Sequence, residues 1–233
     1  MADTGYIHHE QHLRSSDFIS DIVIGMSDGL TVPFALAAGL SGAVSDSSLV
    51  VTAGIAEIVA GSIAMGLGGY LAGRTEADHY DSERRREVRE VETVPEREKE
   101  EVREVFAEMG LSPALQVAIA DELAKDKVKW VDFMMKYELG LDEPDPNRAT
   151  KSALTIGLSY VAGGLIPLSP YFFVEHPHQA LIYSCGLTLL CLFVFGYFKS
   201  KVTGQSPVAG AFKVMLIGAL AAAAAFGVAK LFG

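Results

Sequence analysis

Five apolar stretches, each close to the length needed to cross a lipid bilayer, constrain this chain more than any other feature. A transmembrane helix needs about 20 consecutive, mostly apolar residues. Half of the 233 residues are hydrophobic, whereas charged residues concentrate in one block, 74–151. This pattern predicts an all-α, polytopic membrane protein with five transmembrane helices and a helical insert between spans 2 and 3. The five stretches cover residues 18–41, 49–73, 152–174, 180–198 and 207–232.

The distribution of basic residues predicts the orientation of the spans, because Lys and Arg are enriched in cytosolic loops. Residues 74–151 hold 14 of the 19 Lys and Arg, and the loops after spans 1 and 3 hold none. The insert and the N-terminus are therefore expected in the cytosol, and five spans place the C-terminus on the far side. The predicted organisation is a cytosolic N-terminal segment (1–17), spans 1 and 2 (18–73), the cytosolic insert (74–150) and spans 3 to 5 (151–233).

The formal net charge of −10 argues against a nucleic-acid partner. Most of the acidic residues lie in the insert, next to the membrane. A concentrated negative charge of this kind creates a field that attracts cations. The charge pattern therefore favours a protein that handles positively charged ions at a membrane.

The insert has the signals of a small helical domain. The helix of span 2 has no breaker after Gly73 and is predicted to continue to about residue 91. Thr93–Glu96 has the pattern of a capping box with a proline in the first turn, and it would begin a helix over 95–109 that ends at Gly110. A third helix is predicted from Ser112–Pro113, and a fourth ends at Gly140.

Span 1 carries Asp28 near its middle, in the stretch GMSDGLTVPF. A bare carboxylate inside a membrane costs on the order of 3 kcal/mol or more and typically marks a functional site. Pro33 cannot donate a backbone hydrogen bond and crowds the carbonyl of Gly29, so a kink would place a free carbonyl oxygen beside Asp28. Oxygen ligands of this kind suit a divalent cation. The alternative is a structural carboxylate that is hydrogen-bonded to a neighbouring helix.

Span 2 carries a second carboxylate, Glu57, and a methionine, Met65, two turns further along the predicted helix. Glu57 has no Lys or Arg at membrane depth to pair with, which makes it a candidate proton carrier. Met65 is either an ordinary apolar side chain or a soft thioether ligand that selects a transition metal over Mg²⁺ or Ca²⁺. The pattern Gly69-x-x-x-Gly73 permits close helix packing, including a contact between two subunits.

Two helices of the insert each carry a row of glutamates on one face. Like charges at helical spacing destabilise a helix, and two such faces repel each other unless something positive lies between them. Divalent cations bridged by carboxylates would solve this problem, and so would a salt-bridged surface built with the interleaved arginines. The sequence leaves both readings open. The rows are Glu83, Glu87 and Glu90, and then Glu98, Glu101, Glu104 and Glu108.

The fourth insert helix adds Met134 and Glu138, one turn apart, which would offer a thioether and a carboxylate on one face. Met134 is equally compatible with an apolar core that includes Trp130. A separate motif, Glu76-x-x-His79, resembles half of a di-iron carboxylate site, which requires Glu-x-x-His on each of two helices. The motif occurs once in the insert, so an iron-oxidising centre is incomplete by that template.

Three motifs are similar to those of the vacuolar iron transporter family: DGLTVPFALAAGL in span 1, GSIAMGLGGYLAGR in span 2 and GGLIPLSPY in span 3. The resemblance extends over essentially the whole chain. It implies a homodimer with five spans per subunit in the vacuolar membrane. It further implies that cytosolic Fe²⁺ is exchanged for protons and that Mn²⁺, Co²⁺ or Zn²⁺ is tolerated. By position it implies that Asp28 and Met65 form a metal-binding pair in the pore and that Glu57 takes part in ion or proton passage.

The resemblance also implies a set of metal ligands in the insert, and it implies a divalent metal substrate without a permanently bound cofactor. The sequence therefore predicts a proton-coupled metal antiporter rather than an enzyme. Three alternatives remain: a passive divalent metal channel of the same fold, a membrane-tethered metal-binding or iron-oxidising protein without transport, and a structural membrane protein with a solvated acidic domain. The implied insert ligands are Glu87, Glu90, Glu98, Glu101, Met134 and Glu138.

Overall fold

The computed structural model describes residues 14–232, so most of the predicted segment 1–17 lies outside the described residues. Within them the chain is helical and contains no strand, which confirms the predicted all-α fold. A π turn follows α5 at Met134–Glu138, and a 3₁₀ turn follows α6 at Ser169–Phe172. The helices are α1 (Arg14–Ala43), α2 (Ser47–Thr93), α3 (Pro95–Glu108), α4 (Pro113–Leu123), α5 (Lys127–Phe133), α6 (Arg148–Leu168), α7 (Pro177–Val202) and α8 (Pro207–Phe232).

Five of these helices, α1, α2, α6, α7 and α8, are long and apolar enough to cross a membrane, as predicted. The chain forms two compact units. Leu71–Ala149 is called the helical domain below, and the described residues on either side of it form the membrane unit. Helix α2 is continuous over 47 residues and carries sequence of both units, as the absence of a breaker after Gly73 predicts.

Glycines allow α1 and α6 to approach each other closely in the membrane unit. A Cβ atom added at Gly25 would lie 2.2 Å from the carbonyl oxygen of Ile156, and one at Gly29 would lie 2.3 Å from that of Tyr160. Such distances are far shorter than van der Waals contact, so only glycine fits at these two positions. Small residues at helix crossings are the usual means of tight packing in a bilayer. Two of the glycines around Asp28 thereby fix its helix against α6.

The Gly69-x-x-x-Gly73 motif serves contacts within the chain. A Cβ atom at Gly69 would lie 2.7 Å from Cδ1 of Ile156, and one at Gly73 would lie 2.8 Å from Cα of Ala149. The dimer contact that the motif also permitted is therefore not needed to explain it. A pattern of small residues specifies close approach but not which helix approaches.

The C-terminal end of α6 is broken where the sequence has its two prolines. Pro170 has no N–H group to bond the carbonyl of Ile166, one turn earlier. The Ser169 hydroxyl donates to that carbonyl instead, at 2.8 Å. The α-helix accordingly ends at Leu168 and continues as a single 3₁₀ turn.

The helical domain contains the predicted short helices, but one predicted cap is wrong. Thr93 belongs to α2, where its hydroxyl donates to the carbonyl of Arg89, so it does not cap α3. Helix α3 instead begins with Pro95 at its first position, after Val94. The predicted stops at Gly110 and Gly140 are confirmed, since both have positive φ angles, 83° and 65°, that favour glycine. The domain core consists of Val91, Val102, Ala120, Trp130, Val131, Met134 and Met135.

Candidate metal-binding and transport sites

Helices α2 and α3 bring three of the predicted ligands together in the helical domain. One carboxylate oxygen from each of Glu87, Glu90 and Glu98 lies within 4.8 Å of the others. Glu101 and Glu138 interact electrostatically with this group. These five residues, Glu87, Glu90, Glu98, Glu101 and Glu138, are called the carboxylate cluster below.

Two members of the carboxylate cluster are buried in a way that is costly for an anion. Glu87 and Glu98 are each only 1% exposed. The Oε2 atom of each is buried and has no hydrogen-bond partner within the described residues. An unpaired buried charge destabilises a folded protein by several kcal/mol, as an order of magnitude. The two oxygens therefore need a positive partner or a proton.

The electrostatics of the cluster reflect this burial. Desolvation, followed by repulsion from Glu101 and Glu87, raises the pKa of Glu98 to about 7. Desolvation and repulsion from the same two glutamates raise the pKa of Glu138 to about 7 as well. Burial and the neighbouring Glu90 also raise the pKa of Glu87 above its ordinary value. Glu98 and Glu138 therefore exchange protons near neutral pH, where a divalent cation competes directly with the proton.

The arginines of α2 and α3 neutralise only part of the carboxylate cluster. Arg86 contacts Glu87 and Glu90, at 3.6 and 3.4 Å, and Arg97 contacts Glu101 at 3.1 Å. Among the described residues, neither Glu98 nor Glu138 forms an ion pair with a Lys or Arg. The salt-bridged surface that the sequence left open is thus real for some glutamates but does not account for the buried Glu98.

Met134 lies in the core of the helical domain and is fully buried, together with Met135 and Trp130. A place in the apolar core is one of the two roles that the sequence left open for Met134. Met134 and Glu138 bound a π turn rather than a turn of α-helix, with the Leu139 N–H donating to the Met134 carbonyl at 3.1 Å. π turns are rare and frequent at functional sites. The thioether of Met134 as a metal ligand remains a prediction.

In the membrane unit, the two predicted carboxylates are linked by a residue that the sequence did not single out. The Tyr160 hydroxyl of α6 donates a hydrogen bond to Oε1 of Glu57 on α2. Asp28 of α1 lies within electrostatic range of the same tyrosine. Asp28 and Glu57 are both half-buried, and Oε2 of Glu57 has no hydrogen-bond partner in the described part of the chain. Three helices thus converge on one polar group within the apolar bundle.

A further intramembrane carboxylate was also missed. Asp21 is 3% exposed and accepts a hydrogen bond from the Ser152 hydroxyl at 3.0 Å. The sequence could have identified Asp21 by its spacing of seven residues from Asp28, because two helical turns return to the same face of a helix. Met65 lies on α2 and is half-buried, and its pairing with Asp28 remains a prediction.

Comparison with known proteins identifies the family of this chain. The model of the VIT family matches residues 19–230. This chain belongs to the VIT family. It is 54% identical over 223 residues to "Vacuolar iron transporter 1" of Tulipa gesneriana, across 96% of this chain and 90% of the tulip protein.

Other members of the family are similar over most of their length. "Vacuolar iron transporter 1" of Arabidopsis thaliana is 52% identical, across 96% of this chain and 89% of the plant protein. "Protein CCC1" of Saccharomyces cerevisiae is 43% identical, across 92% of this chain and 69% of the yeast protein. The family and the names of its members are those of transporters, which classes this chain with membrane transporters and not with enzymes.

Proposed function

We propose that this VIT family member moves Fe²⁺ from the cytosol into the vacuole in exchange for protons. Mn²⁺, Co²⁺ and Zn²⁺ are further substrates. The names of its relatives support iron as the cargo and the vacuole as its destination. The observation that carries the proposal is the carboxylate cluster, in which two buried glutamates each leave an oxygen without a partner.

The helical domain acts in this proposal as the cytosolic collector. Carboxylate oxygens are suitable ligands for divalent first-row metals, and a thioether at Met134 adds preference for a softer ion. Metal binding to Glu98 or Glu138 releases a proton when the carboxyl is protonated, which is about half of the time at a pH near the pKa of about 7. The domain therefore binds metal well at cytosolic pH and poorly in acid.

The transport step belongs to the polar group of the membrane unit. Asp28 and Met65 hold the metal, with one oxygen and one sulfur ligand, while Glu57 holds a proton or the metal. Tyr160 positions the Glu57 carboxylate through its hydrogen bond. A carboxylate cannot hold a proton and a metal ion on the same oxygen, so protons entering from an acidic lumen would release the metal. This competition couples the two flows in opposite directions.

The proposal includes a homodimer, with the N-terminus and helical domain of each subunit in the cytosol and the C-terminus in the lumen. The charge distribution supports this orientation, since 14 of the 19 Lys and Arg lie in residues 74–151. An odd number of spans is consistent with ends on opposite sides of the membrane, and the chain has five candidate spans.

Fe²⁺ uptake into proteoliposomes tests the proposal. Uptake is expected to increase when the interior is acidic and to be accompanied by proton efflux. Asp28→Asn should abolish uptake, whereas Glu175→Gln should retain it, because Glu175 is exposed in the loop after α6. Uptake that is independent of the pH gradient would indicate a passive channel. Absence of uptake, or normal uptake by Asp28→Asn, would refute the transport pathway.

A further inference from the structure

Arg86 contacts two members of the carboxylate cluster, whereas Arg97 contacts one. The Arg86 guanidinium contacts three glutamates of α2: Glu83 at 2.8 Å, Glu90 at 3.4 Å and Glu87 at 3.6 Å. In the described part of the chain, no other Lys or Arg forms an ion pair with Glu87 or Glu90. Glu83 does not belong to the cluster, so Arg86 divides its contacts between the cluster and a neighbouring carboxylate.

A divalent cation and this guanidinium compete for the same two carboxylates, those of Glu87 and Glu90. A metal ion binds carboxylate oxygens at roughly 2.0–2.6 Å, which is well inside the distances at which Arg86 contacts Glu87 and Glu90. Two positive groups that bind the same carboxylates also repel each other. Arg86 therefore opposes metal binding at Glu87 and Glu90, and its withdrawal from both carboxylates favours the metal.

Glu83 is the carboxylate with which Arg86 remains paired when it leaves Glu87 and Glu90. Its contact with Arg86 is the shortest of the three, and Glu83 keeps only about a fifth of its side chain exposed. Arg86 is long and itself nearly half exposed, so a change of rotamer suffices to leave the cluster while the contact with Glu83 persists. The charge of Arg86 thus stays paired after the metal has taken its place.

We propose that Arg86 is a built-in competitor of the transported metal, held by Glu83 and displaced from Glu87 and Glu90 when the metal binds. This inference rests on the proposed function, in which the carboxylate cluster collects the transported ion. A collector has to release its ion as well as bind it. By competing with the metal, Arg86 weakens the affinity of a site that five carboxylates would otherwise make very tight.

The first test is a Mn²⁺ titration of the full-length protein in detergent, by calorimetry at neutral pH. Arg86→Gln is expected to tighten Mn²⁺ binding about three- to tenfold, the equivalent of losing two partly exposed ion pairs. Arg89→Gln is the matched control, since Arg89 is an exposed arginine on the same helix and its loss changes the net charge equally. It should change the affinity by less than about twofold. Unchanged or weaker binding by Arg86→Gln would overturn the proposal, because Arg86 would then support the site instead of competing for it.

The second test measures the role of Glu83 by a double-mutant cycle. Glu83→Gln alone should weaken Mn²⁺ binding about threefold, because Arg86 then turns fully to the cluster. In the Arg86→Gln background the same change should have no effect. Weakening of equal size in both backgrounds would identify Glu83 as an ordinary ligand and overturn its role as the tether.

Two controls separate failure of this inference from failure of the proposed function. If the wild type and the combined Glu98→Ala and Glu101→Ala variant bind Mn²⁺ alike, the carboxylate cluster is not a metal site and both proposals fail. If the wild type binds at the cluster and Arg86→Gln is not tighter, only the competition fails. The emission of Trp130, the single tryptophan and a core residue, verifies that each variant is folded. Arg86→Lys is a milder second variant, and its Mn²⁺ affinity should lie between that of the wild type and that of Arg86→Gln.

Discussion

Replacing Glu98 with glutamine is expected to stabilise the helical domain in the absence of metal, although it removes a proposed ligand. Glu98 is 1% exposed, and one of its oxygens has no hydrogen-bond partner in the described residues. Burial and the surrounding glutamates raise its pKa from 4.5 to about 7. Above neutral pH the folded protein therefore contains a buried charge that the unfolded chain would expose to water. Glutamine has nearly the same shape and carries no charge.

The size of the effect follows from the two pKa values. Because the folded-state pKa of Glu98 is the higher one, this group lowers the free energy of unfolding as the pH rises from 4.5 to about 7. The full difference amounts to about 3 kcal/mol, at 1.36 kcal/mol for each pKa unit. Glu98→Gln should therefore stabilise the domain by about 3 kcal/mol at pH 8 and by only about 1 kcal/mol at pH 5.

Trp130 provides the assay, because it is the single tryptophan of the chain and is 2% exposed in the core of the helical domain. Its emission reports unfolding of this domain within the full-length protein, in detergent with a chelator and increasing urea. Glu104→Gln is the control: it makes the same change at an exposed position of α3 and should shift the free energy by less than about 0.5 kcal/mol. A gain that is equal at pH 5 and pH 8, or a loss at pH 8, would refute the reasoning. Added Mn²⁺ should reverse the order, since it stabilises the wild type more than the variant.

Three other outcomes are expected. Mn²⁺ affinity should fall about tenfold per pH unit below neutrality for each proton that the metal displaces, because the pKa values of Glu98 and Glu138 are about 7. Titrations with Mn²⁺ at several pH values measure this dependence, and an affinity that does not change with pH would contradict it. Tyr160→Phe retains the ring but removes the hydrogen bond to Glu57, so the rate of Fe²⁺ uptake should fall about tenfold. An unchanged uptake rate would show that Tyr160 does not position Glu57 for transport. Gly29→Ala places a Cβ 2.3 Å from a backbone oxygen and should destabilise the membrane unit by about 1–3 kcal/mol or more, measured as a lower melting temperature. Gly186→Ala meets nothing within 4 Å and should leave that temperature unchanged.

Much of the fold could be predicted from the sequence because its signals are local. Length and apolarity identify a span without reference to any other segment, and all five predicted spans are helices in the structure. The continuation of α2 beyond Gly73, the start of α3 at Pro95 and the stops at Gly110 and Gly140 follow from single residues. The predicted cap at Thr93 failed because the same hydroxyl had a second local partner, the carbonyl one turn earlier in α2.

The candidate site could likewise be predicted only in part from the sequence. The sequence by itself determined which side chains are unusual: a carboxylate in an apolar span at Asp28, and rows of glutamates on two helices. A carboxylate at membrane depth is costly in almost any packing, so its presence alone points to a function.

Only the tertiary structure decided which of these groups meet. The approach of α3 to α2 selects Glu87, Glu90 and Glu98 and buries two of them, while other glutamates of the same rows, such as Glu104, remain exposed. Tyr160 reaches Glu57 from a position 103 residues away in the chain. Helical periodicity defines the face on which a residue lies, but the partner of that face depends on how the helices pack. The pKa values of about 7 arise from that packing, since burial and charge proximity are properties of the folded chain.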